Sequence, residues 1–292
     1  MTYRLKGLIA LTRPFVLFTT SFFYIAAAFL SVNGIPPLLP LFIGFIAVVL
    51  AISAAHTLND YFDRQIDKDN PRTAQRAIPT GLVSPRLALG AGVVYGFTAI
   101  ALTFFLNIPS VILAFIAIPL PFAYNYMRNR KIPYSFLCTM LAVLFIILLG
   151  STAASGMYLT NYGFLFVVFG ISWEMGRTLI SEVQDIDHDK ESNITTISST
   201  ISAKHAAYLI LLLFSLSASM SIILGFYARL GVLYLAIIIP TAIWLIYRSV
   251  ELAKSPSTQN AIGMRKRAPK YLVIICLILI VSILLNGLLF GF

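Results

Sequence analysis

The sequence predicts an all-α polytopic membrane protein with about nine transmembrane helices. Three observations carry that reading. Of 292 residues, 59% are hydrophobic and only 11% charged, against about 25% charged in a soluble domain. Mean hydropathy is +0.89, and one core of this size could not hide so much apolar surface. The apolar residues gather into runs of the length a helix needs to cross a bilayer, about 20 residues. The basic residues fall almost wholly in alternate loops. A soluble enzyme, a secreted disulfide scaffold and a disordered chain are excluded.

The runs fall at 14–33, 36–58, 86–106, 108–127, 133–155, 160–180, 203–227, 230–249 and 271–291. The first begins at Pro14 and lacks a small-residue cleavage site with a soluble domain behind it, so it reads as a span and not a signal peptide. The third and fourth meet at Asn107-Ile108-Pro109 in a very short turn. The stretch 254–270 reads as a polar, basic connection before the last span. Cys138 and Cys276 lie inside apolar runs and read as small packed or lipid-facing residues, with no metal–thiolate spacing. Residues 1–292 read as a single integral-membrane domain.

Orientation follows from the loops. Arg4, Lys6 and Arg13 precede the first span; Arg64, Lys68, Arg72, Arg76 and Arg86 follow the second. Arg128, Arg130 and Lys131 end the fourth, and Lys190 and Lys204 follow the sixth. Arg248, Lys254, Arg265, Lys266, Arg267 and Lys270 follow the eighth, while the opposite side holds only Arg229. The positive-inside rule puts the N-terminus in the cytoplasm and the C-terminus outside. The net charge of +10, from 21 Lys and Arg against 11 Asp and Glu, therefore reads as basic loops facing anionic lipid and not as nucleic-acid binding. Two cytoplasmic loops, 59–86 and 181–203, hold most of the hydrophilic chain.

Nine of the eleven acids lie in those two loops: Asp60, Asp63, Asp67 and Asp69 in one, Glu182, Asp185, Asp187, Asp189 and Glu191 in the other. Asp63 and Asp67 are four residues apart, with Asn59 one turn earlier, and all three share a face if the second span continues as helix. Asp185 and Asp189 repeat the spacing after the sixth span, with Glu182 one turn before. Like charges at that spacing repel, and beside a bilayer they need cations. Carboxylate and amide oxygens are hard ligands, suited to Mg2+ or Ca2+ and not to zinc. His188 reads as a solvated loop residue and His56 as a packed or hydrogen-bonded one. Arg72 and Arg76 follow the first cluster, and Arg128, Arg130 and Lys131 end the fourth span. Such residues can grip diphosphate oxygens in bidentate fashion or serve topology alone. For Arg76 the turn Ala77-Ile78-Pro79-Thr80-Gly81 favours a site role.

At these residues the chain resembles the UbiA superfamily of intramembrane prenyltransferases. One match is Asn-Asp-x-x-Asp-x-x-x-Asp at Asn59, Asp60, Asp63 and Asp67. It is followed by Asn70-Pro71-Arg72-Thr73 and Arg76-Ala77-Ile78-Pro79-Thr80-Gly81. The other is Asp185-x-x-x-Asp189. The resemblance implies nine helices around a central cavity, capped on the cytoplasmic side by the two motif loops. It implies Mg2+ held by Asn59, Asp63, Asp67, Asp185 and Asp189, and an isoprenyl diphosphate donor. The family's tyrosine and basic residue after the fourth span look most like Tyr124 and Arg128, with Lys131 a second candidate. Arg13 resembles its arginine at the start of the first helix. Arg72 and Arg76 would join Arg128 on the diphosphate, and Glu182 would be a substrate contact.

The resemblance leans to a small aromatic acceptor of the quinone-precursor kind, on Asn70-Pro71-Arg72-Thr73-Ala74. The segment from Arg177 through Glu182 to Asp189 is similar to archaeal enzymes that transfer geranylgeranyl to a glycerol phosphate ether. Two rivals lie outside the family. A cation transporter would also use acids in a membrane, but these sit at span ends beside arginines. A phosphotransferase of CDP-alcohols would need Asp-Gly and Ala-Arg elements that the clusters lack.

Overall fold

A computed structural model describes residues 2–70, 72–160, 162–191 and 195–290; at 2, 3, 129, 187–191, 289 and 290 it describes the backbone alone. The described residues form helices and no strand. In order these are α1 (Thr2–Leu11), α2 (Pro14–Val32), α3 (Leu38–Phe62), α4 (Ile66–Asp69), α5 (Pro85–Thr103), α6 (Ile108–Ala117) and α7 (Pro119–Asn129). They continue with α8 (Phe136–Ser155), α9 (Gly163–Glu191), α10 (Ile197–Ile201), α11 (Ala203–Tyr227), α12 (Gly231–Lys254) and α13 (Thr258–Phe290). Among the described residues nine stretches are long and apolar enough to cross a membrane: α2, α3, α5, α6 with α7, α8, α9, α11, α12 and α13.

Local sequence sets the breaks. Arg13 adopts the left-handed region (φ 52°) between α1 and α2, and Pro14 opens α2, where its missing N–H costs nothing. The short turn after α5 holds because Asn107 caps α6, its side chain accepting from Ser110 N at 3.0 Å. The same Asn107 donates to Thr152 O of α8 at 2.6 Å, and Ser110 and Thr152 hydroxyls meet at 2.9 Å. The fourth span is broken at Ile118, where Pro119 starts α7.

Three sequence expectations change. The stretch 254–270 is not a connection. α13 begins at Thr258 and carries Arg265, Lys266 and Arg267 on its first turns, because the charged turns are helical before the apolar run begins. The second loop is shorter than 181–203, since α9 continues to Glu191. α3 ends at Phe62 with Asp63 as its cap, so Asp67 lies in the separate α4. Asp67 N still donates to Asp63 O at 2.9 Å, which keeps the four-residue relation.

α3 packs on α5, α8 on α2, and α9 on α11; α13 lies against α2, α9 and α12. Trp173 of α9 stacks between Phe214 of α11 and Tyr271 of α13, with ring centroids 5.1 and 5.4 Å away. This aromatic sandwich is fully buried and ties the second half of the bundle together. α2 and α8 approach closely at Gly150, where an added Cβ would stand 2.3 Å from Tyr24 O and 3.0 Å from Ala27 Cβ. Since backbone cannot yield as a side-chain tip can, Gly150→Ala should cost about 1–3 kcal/mol of stability. Thermal unfolding in detergent measures this, and an unchanged midpoint would show that the two helices can part without loss.

Candidate active site

A cavity of about 740 Å³ runs between the helices of the first half and α9, within the usual range for small-molecule sites. Its apolar end is lined by Leu113, Val143, Ile146 and Leu149. Its polar end is lined by Asn59, Asp60, Glu182 and Asp185.

The last turns of α3 deliver Asn59 and Asp60, and its cap delivers Asp63. Asp60 is buried and accepts from Arg13 Nη2 at 2.5 Å and Arg76 Nη1 at 3.1 Å. Arg76 Nη1 also donates to Asp67 Oδ2 at 2.7 Å, so one guanidinium joins two carboxylates across the turn after α4. Asp63 Oδ2 accepts from Arg128 Nη1 of α7 at 2.9 Å and from Asn59 Nδ2 at 3.1 Å. The longest tie is Arg72 to Asp185 of α9, 113 residues away: Nε donates to Oδ1 at 2.9 Å and Nη2 to Oδ2 at 2.6 Å. That bidentate fork brings the two acid motifs face to face. Glu182 accepts from Ser198 N at 3.1 Å and so holds α10 over the site.

Asp63 Oδ1 and Asn59 Oδ1 are buried and have no hydrogen-bond partner. Burial pushes the Asp63 carboxyl above its ordinary range, against Arg128 and with the help of Asp67. Orphaned hard oxygens on two side chains that hydrogen-bond to each other fit a small divalent cation. Among the described residues no three of His, Cys, Asp and Glu gather into a metal-enclosing group. Mg2+ takes one or two protein carboxylates and fills its shell with water and phosphate. Burial also lowers the Arg13 pKa from its usual value, with Asp60 opposing.

Most predicted residues converge. Arg13, Asn59, Arg72, Arg76, Tyr124, Arg128, Glu182 and Asp185 all line the cavity. Asp63 and Asp67 lie just behind its wall, bonded to arginines that line it. Lys131 is exposed beyond α7 and lines no part of the cavity. The side chain of Asp189 lies outside the described residues, as does that of His188. His56 also lines the cavity, within reach of the charges of Arg13, Arg177 and Arg76.

Two features escaped the sequence reading. Glu174 and Arg177 pair one turn apart on α9, inside the cavity. Arg265 reaches the cavity from α13; its only sequence signal is helical spacing in a stretch that looks like a loop.

The UbiA prenyltransferase family matches residues 20–268. The chain belongs to this family. Its members among the similar curated proteins are prenyltransferases, and cation transport finds no support. The digeranylgeranylglyceryl phosphate synthase of Methanosphaera stadtmanae is 26% identical over 268 residues, covering 91% of this chain and 94% of that one. The 4-hydroxybenzoate octaprenyltransferase of Pasteurella multocida is 39% identical over 112 residues, 38% of this chain and 39% of that one. Solved UbiA homologues share the fold. The apo protein of Aeropyrum pernix K1 superposes with a TM-score of 0.73 at 22% identity, covering 93% of this chain and 97% of that one. The Archaeoglobus fulgidus protein bound to GPP and Mg2+ gives 0.63 at 14%, covering 94% and 99%.

In this UbiA prenyltransferase the Arg72–Asp185 fork is the link between motif loops. Arg72→Ala and Asp185→Ala should each lower the detergent unfolding midpoint, and the double variant should lose less than their sum. The coupling should be about 1 kcal/mol, since Arg72 is partly exposed. Strict additivity would mean that the fork does not hold the loops together.

Proposed function

We propose that the protein transfers a geranylgeranyl group from its diphosphate to geranylgeranylglyceryl phosphate, with Mg2+, releasing diphosphate. The observation that carries the reaction is the pair of orphaned oxygens at Asn59 and Asp63, set beside facing acid motifs and ringed by arginines at the mouth of an apolar cavity. The acceptor rests on relatives named digeranylgeranylglyceryl phosphate synthase that align over nearly the whole chain. A second reading, a small aromatic acceptor, rests on the 4-hydroxybenzoate octaprenyltransferase matched over 112 residues.

Asn59, Asp63, Asp67, Asp185 and Asp189 would hold the metal, and Arg72, Arg76 and Arg128 would grip the diphosphate. When bound, Mg2+ neutralises charge on the leaving diphosphate. The arginines stabilise the same charge as the allylic C–O bond breaks, in a cavity that keeps out bulk water. The apolar wall from Val143 to Leu149 receives the isoprenyl tail. Tyr124 lines the cavity within reach of the charges of Arg13 and Arg177, where an aromatic face can stabilise an allylic cation. The acceptor hydroxyl attacks the allylic carbon and loses its proton. The whole of 1–292 acts as one unit in the lipid bilayer. The excess of Lys and Arg in alternate loops supports a cytoplasmic polar end and N-terminus, with the C-terminus outside.

The test is diphosphate release by purified protein given geranylgeranyl diphosphate and a panel of acceptors. Transfer to geranylgeranylglyceryl phosphate that EDTA abolishes is the expected result. Transfer only to 4-hydroxybenzoate would establish the second reading, and transfer insensitive to EDTA would remove the metal. Asp63→Ala or Asp185→Ala should lower kcat/KM at least about 100-fold in folded protein; near-normal turnover in either would break the two-motif site. Arg76→Ala should raise the donor KM about tenfold, and an unchanged donor KM would return Arg76 to a structural role.

A further inference from the structure

Six arginines line the cavity: Arg13, Arg72, Arg76, Arg128, Arg177 and Arg265. Five are ion-paired, to Asp60, Asp185, Asp60 with Asp67, Asp63 and Glu174 respectively. Arg265 is the exception. Its Nε is buried without a hydrogen-bond partner, and among the described residues it forms no ion pair. It also stands apart in the fold. The diphosphate-facing arginines come from the loop after α4 and the end of α7, whereas Arg265 comes from α13, which packs on α2 and α9.

The charges that reach Arg265 are those of Arg72, Arg177, Arg13 and Asp185. Both oxygens of Asp185 are already taken by the fork of Arg72. Among the described residues the charges around Arg265 are therefore net positive, and a guanidinium placed there in an apolar bundle is unfavourable unless an anion joins it. We propose that Arg265, with Arg177 on the adjoining face of α9, binds the phosphate monoester head of the acceptor, in a subsite distinct from that of the donor diphosphate. A phosphate monoester carries about −1.5 to −2 charges and three strong acceptor oxygens. It suits a spare guanidinium fork in the combined field of three further arginines. A carboxylate would use one fork and leave most of that field unanswered. The assignment rests on the phosphate-headed acceptor proposed above and specifies what recognises it.

The experiment compares wild type, Arg265→Gln and Arg265→Lys with geranylgeranyl diphosphate and geranylgeranylglyceryl phosphate. Arg265→Gln should raise the acceptor KM about tenfold or more and leave the donor KM within about twofold. Arg265→Lys should fall between, because lysine keeps the charge and loses the fork. An unchanged acceptor KM overturns the assignment, and an equal rise in donor KM overturns it by moving Arg265 to the donor site. A measurement on wild type guards against misfolding of the variants. Glycerol phosphate should inhibit competitively against the acceptor and not against the donor; competition with the donor alone overturns the subsite. The two failures are separable. A wild type that transfers only to 4-hydroxybenzoate defeats the acceptor reading and this subsite with it. A wild type that uses the glyceryl phosphate, with Arg265→Gln indistinguishable from it, defeats the subsite alone.

Discussion

Buried carboxylates at the end of an apolar bundle must be neutralised, and the polar end of this protein is organised by that constraint. Asp60, Asp63 and Asp67 are all nearly inaccessible, within eight residues of chain. Repulsion among them and loss of hydration would both oppose folding. Each answer comes from a different element: Arg13 from the break before α2, Arg76 from the turn after α4, and Arg128 from the end of α7. Backbone features follow from the need. The left-handed Arg13 both stops α1 and presents a guanidinium to Asp60. The ion pairs therefore fix how α1, α3 and α7 meet, and Arg72 extends the same logic to α9.

The opposite end of the cavity is governed by packing. The hydrogen bonds of Asn107, Ser110 and Thr152 join α6 to α8 with little polar surface left over. Leu113 of α6 and Leu149 of α8 line the cavity close by in sequence. A long apolar chain can enter such a space without displacing ordered polar groups, while its charged head stays among the arginines. The division into a charged end and an apolar end is the division of an isoprenyl diphosphate itself.

Much of this was legible in the sequence, and the parts that were not have physical causes. Nine spans could be read because each apolar run approaches the thickness of the hydrocarbon core. The acid motifs could be read because like charges at four-residue spacing need an explanation. Arg265 could not, since a basic polar stretch reads as loop until helix geometry brings one of its residues onto a cavity wall. The Glu174–Arg177 pair was hidden for a related reason: inside an apolar run, two charges three apart reveal little about which face they share with a site 110 residues upstream. Pairing is the general blind spot. Nothing in the sequence says that Arg72 chooses Asp185 and Arg128 chooses Asp63.

Those choices bear on how a site can be stable when empty and still receive a polyanion. In the free protein five of the six cavity arginines are spent on the acids, and one oxygen each of Asn59 and Asp63 lies unbonded. On the proposed reading, a cation arriving with a diphosphate meets the orphaned oxygens first, and the carboxylates it attracts release their hold on the arginines. The arginines then turn from protein carboxylate to ligand phosphate with little net change in the number of charge-assisted hydrogen bonds. Folding and binding draw on the same set of pairs. The two motif loops can thus be held in register before the donor arrives, and the electrostatic stabilisation needed during reaction is largely preorganised.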